Sequence, residues 1–240
     1  MTVLAPLADR YGTASVVIPP EPDGADARSA HAAHGITRAM PVVLRLERPP
    51  AARTPVLEAA AVAALALCLD PRAEPGGEWH EAVEMWVASR IRKIARRART
   101  SHWDAVQELP GVTCRVGDAE ARALVPGPVD DVPRTLSRLQ IGGTELDPDE
   151  PGAPAAGVPV IWVNAALHMT VGKAAAQVGH ASMLFAAAHG LTEVPAFAVR
   201  DASPERWAEL TAAVERGEAV AVRDGGFTEV APGTTTCITQ

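Results

Sequence analysis

The stretch Val158-Pro-Val-Ile-Trp-Val-Asn164 constrains the fold of this chain more than any other. It is short and almost continuously apolar, the pattern of a strand buried on both faces of a sheet, as in α/β folds. Before it lies Asp147–Gly157 (DPDEPGAPAAG), rich in acid, Pro, Gly and Ala and without periodicity, which reads as a linker. After it, Thr170 predicts the cap of a helix running to about His189. A strand at Ala196–Arg200 follows, then a helix opened by Ser203 as cap and Pro204 at its first position. Glu218–Arg223 reads as a strand, and a Gly-Gly turn predicts another beginning at Phe227–Val230. The order β-α-β-α-β-β predicts an α/β unit, a small mixed sheet covered by helices.

The first half is less regular. Pro41–Glu47 alternates like a strand. Thr54-Pro55 predicts the N-cap and first position of an apolar helix over Val56–Leu69. Glu78–Arg90 is amphipathic through Trp79, Val83, Trp86 and Val87. A helix is expected at Trp103–Leu109, a strand at Gly111–Arg115 and a turn at Pro126-Gly127-Pro128. The prolines of Ile18-Pro19-Pro20-Glu21-Pro22 break any helix there. Residues 1–37 therefore read as an extension, with a short helix near Ser29–Arg38. This divides the chain into 1–37, a domain over 38–146, the linker 147–157 and a domain over 158–240.

Composition narrows the function. Hydrophobic residues are 48% of the chain and charged residues 21%, enough to bury a core. No run of about 20 apolar residues exists, so no transmembrane helix and no membrane partner are expected. The N-terminus lacks a basic region followed by an apolar one, so a cytoplasmic location is expected. Cys68, Cys114 and Cys237 have no ligand spacing, so neither a disulfide framework nor a metal is expected. A net charge of -7, with one Tyr and three Phe, argues against a general nucleic-acid binder.

The chemistry-bearing stretch is Met169–Ala181. At 100° per residue, Lys173, Gln177 and His180 fall at about 0°, 40° and -20°, one narrow stripe of the helix. The helix starts at the C-terminal edge of a buried strand, where ligands collect in open α/β sheets. By spacing alone, a polar stripe on an Ala-rich surface helix fits equally well.

Gly172-Lys173-Ala-Ala-Ala-Gln177-x-x-His180-Ala181 resembles the signature of type 2 peptidyl-tRNA hydrolases. The segment from Asp224 through Thr228 and Ala231-Pro232-Gly233 to Thr236 is similar to a second motif of that family. Gly225 stands for its Ala and Thr234 for its Ser. The resemblance covers about Val158–Gln240. It implies a mixed sheet with helices on both faces and hydrolysis of the ester joining a peptide to the 3′ end of tRNA, without a metal or other cofactor. It places Lys173, Asp224 and Thr228 in the active site, with Gly172, Gln177, His180 and Thr236 at flanking motif positions. Ester hydrolysis needs a positioned nucleophile and a stabilised oxyanion. Asp224 can orient or deprotonate water, Lys173 can hold the oxyanion or a phosphate, and Thr228 can bind the carbonyl. For His180 a catalytic role and a packed helix position both stand. The family usually continues past its last Thr with a Gly-x-Gly-Pro stretch, whereas this sequence reaches Gln240, so the final strand is expected to be incomplete or supplied from elsewhere.

The first half echoes the second. Asp118 to Pro126 has the spacing of Asp224 to Pro232, and Glu58-Ala-Ala-Ala-Val62 sits after its strand as Lys173-Ala-Ala-Ala-Gln177 does. On this alignment Glu58 replaces Lys173, Val62 replaces Gln177, Leu65 replaces His180 and Arg122 replaces Thr228. The expectation is a degenerate repeat packed as a pseudo-dimer within a monomer, or a homodimer of chains.

Arg90–Arg99 holds six cations: Arg90, Arg92, Lys93, Arg96, Arg97 and Arg99. Residues 158–240 carry five cations and eight anions, a balance of -3. Arg92, Lys93, Arg96 and Arg97 are therefore expected to contact the tRNA phosphates. Lys93 and Lys173 are the only lysines among 22 basic residues. Two other readings use the same residues. One is a related hydrolase or acyl-transfer enzyme acting on another aminoacyl ester. The other is a non-catalytic RNA- or protein-binding module.

Overall fold

The computed structural model describes residues 2–11, 16–17, 36–226 and 228–240. In chain order the elements are α1 (Ala5–Tyr11), β1 (Val16–Val17), β2 (Arg38–Arg45), α2 (Arg53–Cys68), α3 (His80–Ala88), β3 (Lys93–Ala98), α4 (Thr100–Val106), β4 (Gly111–Val116), β5 (Ala119–Leu124), β6 (Gly127–Pro128), α5 (Arg134–Ser137), β7 (Val160–Asn164), α6 (Val171–Ala188), β8 (Ala198–Ala202), α7 (Pro204–Glu215), β9 (Val220–Arg223) and β10 (Thr235–Thr239). The apolar run after the linker is β7, and Thr170 caps α6 by accepting a bond from the Lys173 amide at 3.2 Å. Ser203 caps α7 in the same way through the Arg206 amide.

Two mixed sheets result. The first has the order β3-β2-β5-β4, with β2 and β3 parallel and the other neighbours antiparallel. The second has the order β8-β7-β10-β9, with β7 and β8 parallel and β10 antiparallel to both its neighbours. Here β1 adds beside β9, and β6 pairs with β2 in the first half. Strand for strand the two orders coincide, and in each a long helix leads from the first strand toward its parallel partner.

Those helices, α2 and α6, pack against each other between the sheets. Ser182 Oγ donates to the Ala61 carbonyl at 2.8 Å, and a Cβ at Gly179 would stand 3.1 Å from that of Ala64. Small side chains permit this close approach: Ala59, Ala60, Ala61, Ala63 and Ala64 are fully buried, as are Ala174 and Ala175. Each helix also reaches the opposite sheet. From α2, Glu58 accepts bonds from the Val199 amide and Arg200 on β8, both at 3.0 Å. Arg53 pairs with Asp201 at 2.8 Å. In return α6 lies against β3 at Ala95 and Lys93.

Several expectations change. The α2 helix starts at Arg53 with Ala52 as its cap residue, so Thr54 is not the cap. Instead the linker supplies Asp149, whose carboxylate accepts from the Thr54 hydroxyl at 2.7 Å and from the Thr54 amide. Lys93–Ala98 is a strand, so its cations alternate between faces. Asp118–Pro126 spans strand β5, whereas Asp224–Pro232 spans the connection between β9 and β10. The Asp-to-Pro spacing therefore matches two different structures. Arg122, on β5, is tied to Thr113 and the Gln107 and Leu109 carbonyls, not placed as Thr228 is. Gly127–Pro128 pairs briefly with β2 instead of only turning. The last strand is Thr235–Thr239, later than Phe227–Val230, and both its edges are paired. Its pairing is thus complete within this chain. The prolines at 19, 20 and 22, Phe227, and residues 29–35 of the helix expected near Ser29–Arg38 lie outside the described residues; Ile36 and Thr37 are not helical, and Arg38 begins β2.

Candidate active site

Lys173 and Gln177 project from one face of α6 toward the start of the β9–β10 connection. Lys173 Nζ donates to Asp224 Oδ2 at 2.6 Å and to Thr228 Oγ1 at 3.1 Å. Gln177 Nε2 donates to the same Asp224 oxygen at 2.7 Å. Behind it, Thr236 on β10 donates from Oγ1 to Gln177 Oε1 at 2.6 Å, with the Val222 carbonyl 3.3 Å away; the acceptor-only Asp224 carboxylate sets which end of the amide faces it. The other carboxylate oxygen accepts from the Gly226 amide at 2.7 Å. Gly226 has φ +79°, and a Cβ there would strike Pro232 at 2.4 Å, so the turn that presents this amide requires glycine.

Burial is nearly complete around the pair. The side chains of Lys173 and Asp224 keep 7% and 5% of their exposure. Gln177 and Thr236 are also buried, so both hold Asp224 in place and Thr236 has no surface to offer a substrate. A buried ion pair persists only where its remaining lone pairs and protons are satisfied. Asp224 meets that condition with three donors besides its own backbone bonds to Gly233 and Thr234. Thr228 is exposed. Its hydroxyl accepts from Lys173 and keeps a proton to donate outward.

Lys173, Gln177, Asp224 and Thr228 line a cavity of about 370 Å³, with Arg92 and Lys93 from the first half and His180 also on its wall. His180 turns away from Asp224: its Nδ1 lies 3.1 Å from Lys93 Nζ. Burial above all, then the neighbouring amines of Lys93 and Lys173, which disfavour a charged ring, holds the imidazole well below its ordinary range and therefore neutral. Burial also pushes the Lys93 amine down to about 7. From α2 it faces the Cys68 thiol, which burial pushes up to about 12 and so keeps protonated.

Of the other expected contacts, Gly172 lines the same cavity, and Arg96 and Arg97 lie away from it. The Gly172 amide donates to Thr144 Oγ1 at 3.0 Å, and a Cβ there would meet that oxygen at 2.9 Å, so the close approach of Thr144 requires glycine. Arg96 donates to the Leu139 carbonyl at 2.9 Å and lines a separate cavity of about 310 Å³. Arg97 is bonded to the Gln140 side chain. The cationic run is therefore not one patch, because alternation along β3 sends its members to different places. Three contributors escape a reading of the sequence: Thr144, the Lys93–His180 pairing, and Glu229. Glu229 accepts from both the Thr170 hydroxyl, at 2.7 Å, and the Thr170 amide, so a carboxylate covers the N-terminus of α6.

Among the described residues, no group of three or more His, Cys, Asp or Glu is placed to hold a metal ion, and no helix is long and apolar enough to cross a membrane. No family model, curated protein or solved structure matches the chain.

Proposed function

We propose that this protein is a peptidyl-tRNA hydrolase, cleaving the ester between a peptide or N-blocked amino acid and the 3′ end of tRNA. The observation that carries the reading is the convergence of Lys173, Asp224 and Thr228, from two segments some fifty residues apart, on one cavity wall. In this reading Asp224 steers the Lys173 ammonium. The ammonium and the outward proton of Thr228 stabilise the oxyanion that forms when water attacks the ester carbonyl. Asp224 accepts three hydrogen bonds, from Lys173, Gln177 and the Gly226 amide, and in this reading it orients the site and is not the base. The coincident strand orders of the two sheets favour a duplicated α/β unit in which only the second copy kept the Lys-Gln-Asp set.

A second reading keeps the reaction class and changes the substrate to another aminoacyl ester. It is favoured by the intramolecular bonds of Arg96 and Arg97, which leave fewer cations for tRNA phosphates. Hydrolysis of an N-acetyl-aminoacyl-tRNA by wild type, Lys173→Ala and Asp224→Asn tests both. The expected loss is about 100-fold or more in each variant. Turnover of small N-acyl amino acid esters but not of the tRNA ester would favour the second reading. Full activity in both variants would overturn the site.

A further inference from the structure

The Asp224 carboxylate is engaged by Lys173, Gln177 and the Gly226 amide, and the reading above gives it the steering of Lys173, which leaves the acceptor of the attacking water's proton unassigned. Lys93 is built to fill that gap. Its stem crosses α6 over Gly179, where a Cβ would stand 3.1 Å from both its Cδ and its Cε. Its amine ends at His180 Nδ1 and lies 5.0 Å from the centre of the Trp86 ring. It opens onto the same cavity as Lys173 and Asp224.

We infer that Lys93, contributed by the first half and held by His180, is a further catalytic residue of this cavity, the amine that accepts the proton from the attacking water. The inference rests on the ester-hydrolase reading. The water O–H bond breaks and its proton goes to Lys93 Nζ, while the oxygen bonds to the ester carbonyl carbon. The oxyanion sits against Lys173 and Thr228. As it collapses, the ribose oxygen leaves and takes the proton back from Lys93, so ester and water become acid and alcohol with the amine restored. His180 is a positioning residue: a neutral Nδ1 accepts from the amine before and after the transfer.

The surroundings favour an uncharged amine in the resting site. From α6 it faces neutral His180 and, further along, the Lys173 ammonium; from α2 it faces the protonated Cys68 thiol; from α3 it faces the Trp86 ring. Arg92 precedes it on its own segment and Arg96 follows three residues later on β3. Asp224 and Glu229 line the cavity from the β9–β10 connection. Among the described residues none of these carboxylates pairs with Lys93; Asp224 is taken by Lys173 and Glu229 by Thr170. A guanidinium at 93 would stay charged at every accessible pH. Lysine at 93 is therefore a chemical requirement and not a variant of the neighbouring arginines.

The test couples two measurements. Competitive acetylation of folded protein with acetic anhydride, read by mass spectrometry against pH, gives the titration of Lys93 itself. Single-turnover hydrolysis of N-acetyl-aminoacyl-tRNA is followed against pH in wild type, Lys93→Met, Lys93→Arg and His180→Ala. Expected are an acetylation midpoint near 7 and a wild-type rate that climbs below that midpoint and levels above it. Both Lys93 variants should lose that limb and fall about 100-fold or more. His180→Ala should move the midpoint and the limb together. An acetylation midpoint at the ordinary 10.5 overturns the inference, as does a folded Lys93→Met or Lys93→Arg that hydrolyses like wild type. Folded wild type with a midpoint near 7 but no hydrolysis at any pH overturns the ester-hydrolase reading, and the base role with it.

Discussion

Thr236 Oγ1 donates to Gln177 Oε1 at 2.6 Å, and through that bond a buried hydroxyl on β10 backs the amide that holds Asp224. With its carbonyl end engaged there, the Gln177 amide presents N–H to the carboxylate. Thr236→Val keeps the shape and removes the donor. The Gln177 carbonyl oxygen is then left buried without its donor, while the amide N–H stays on Asp224. The expected result is a loss of about 1–3 kcal/mol in unfolding free energy, measured by urea titration, and a drop in turnover with little change in KM.

Gly179 is expected to resist even alanine. Alanine normally strengthens a helix interior by about 1 kcal/mol relative to glycine. Here the added methyl would press on Ala64 Cβ and on the Lys93 stem, each 3.1 Å from its position. Overpacking of this kind costs about 1–3 kcal/mol, so Gly179→Ala should be net destabilising in thermal or chemical melts. A stabilised Gly179→Ala protein would contradict the packing described here.

Stability should rise with pH through neutrality. The folded state holds the Lys93 amine down to about 7 from an ordinary 10.5, so between these values the unfolded chain binds more protons. Stability therefore climbs across that window, and the full penalty applies below it. His180, held well below 6.5, adds a further loss in acid. Urea midpoints near pH 9 and near pH 7 should differ in wild type and converge in Lys93→Met, which removes the titrating amine.

Asp149 should act as a cap supplied from outside the helix. Its carboxylate accepts from both the amide and the hydroxyl of Thr54, in the first turn of α2, where a negative charge also meets the positive end of the helix. Asp149→Ala is expected to cost about 1 kcal/mol of stability and leave the active-site geometry intact. Denaturant midpoints, compared with turnover, check both halves of that statement.

Elements specified by local signals were legible in the sequence. β7 follows from an unbroken apolar run, and α6 and α7 from Thr170 and Ser203 ahead of helical patterns. The Lys173–Gln177 stripe and its Asp224 and Thr228 partners were legible too, because a helical period and a short motif place them. What depends on distant contacts was not. Ala119–Leu124 is built from Ala, Glu, Arg and Leu, poor strand formers that are held as β5 by pairing on both edges. Arg90–Arg99 reads as one charge cluster, yet a period of two divides it, and the partner of Lys93 lies 87 residues away. Asp149 caps a helix 95 residues before it. No local pattern encodes such pairs.

The notch at Gly179 links the histories of the two halves. A single absent methyl on α6 leaves the path along which a side chain from β3 reaches His180. A methyl at 179 would press on the Lys93 stem and on Ala64, so the room at 179 and the path of the side chain at 93 depend on each other. The strand of one half and the helix of the other are thus coupled through these two positions.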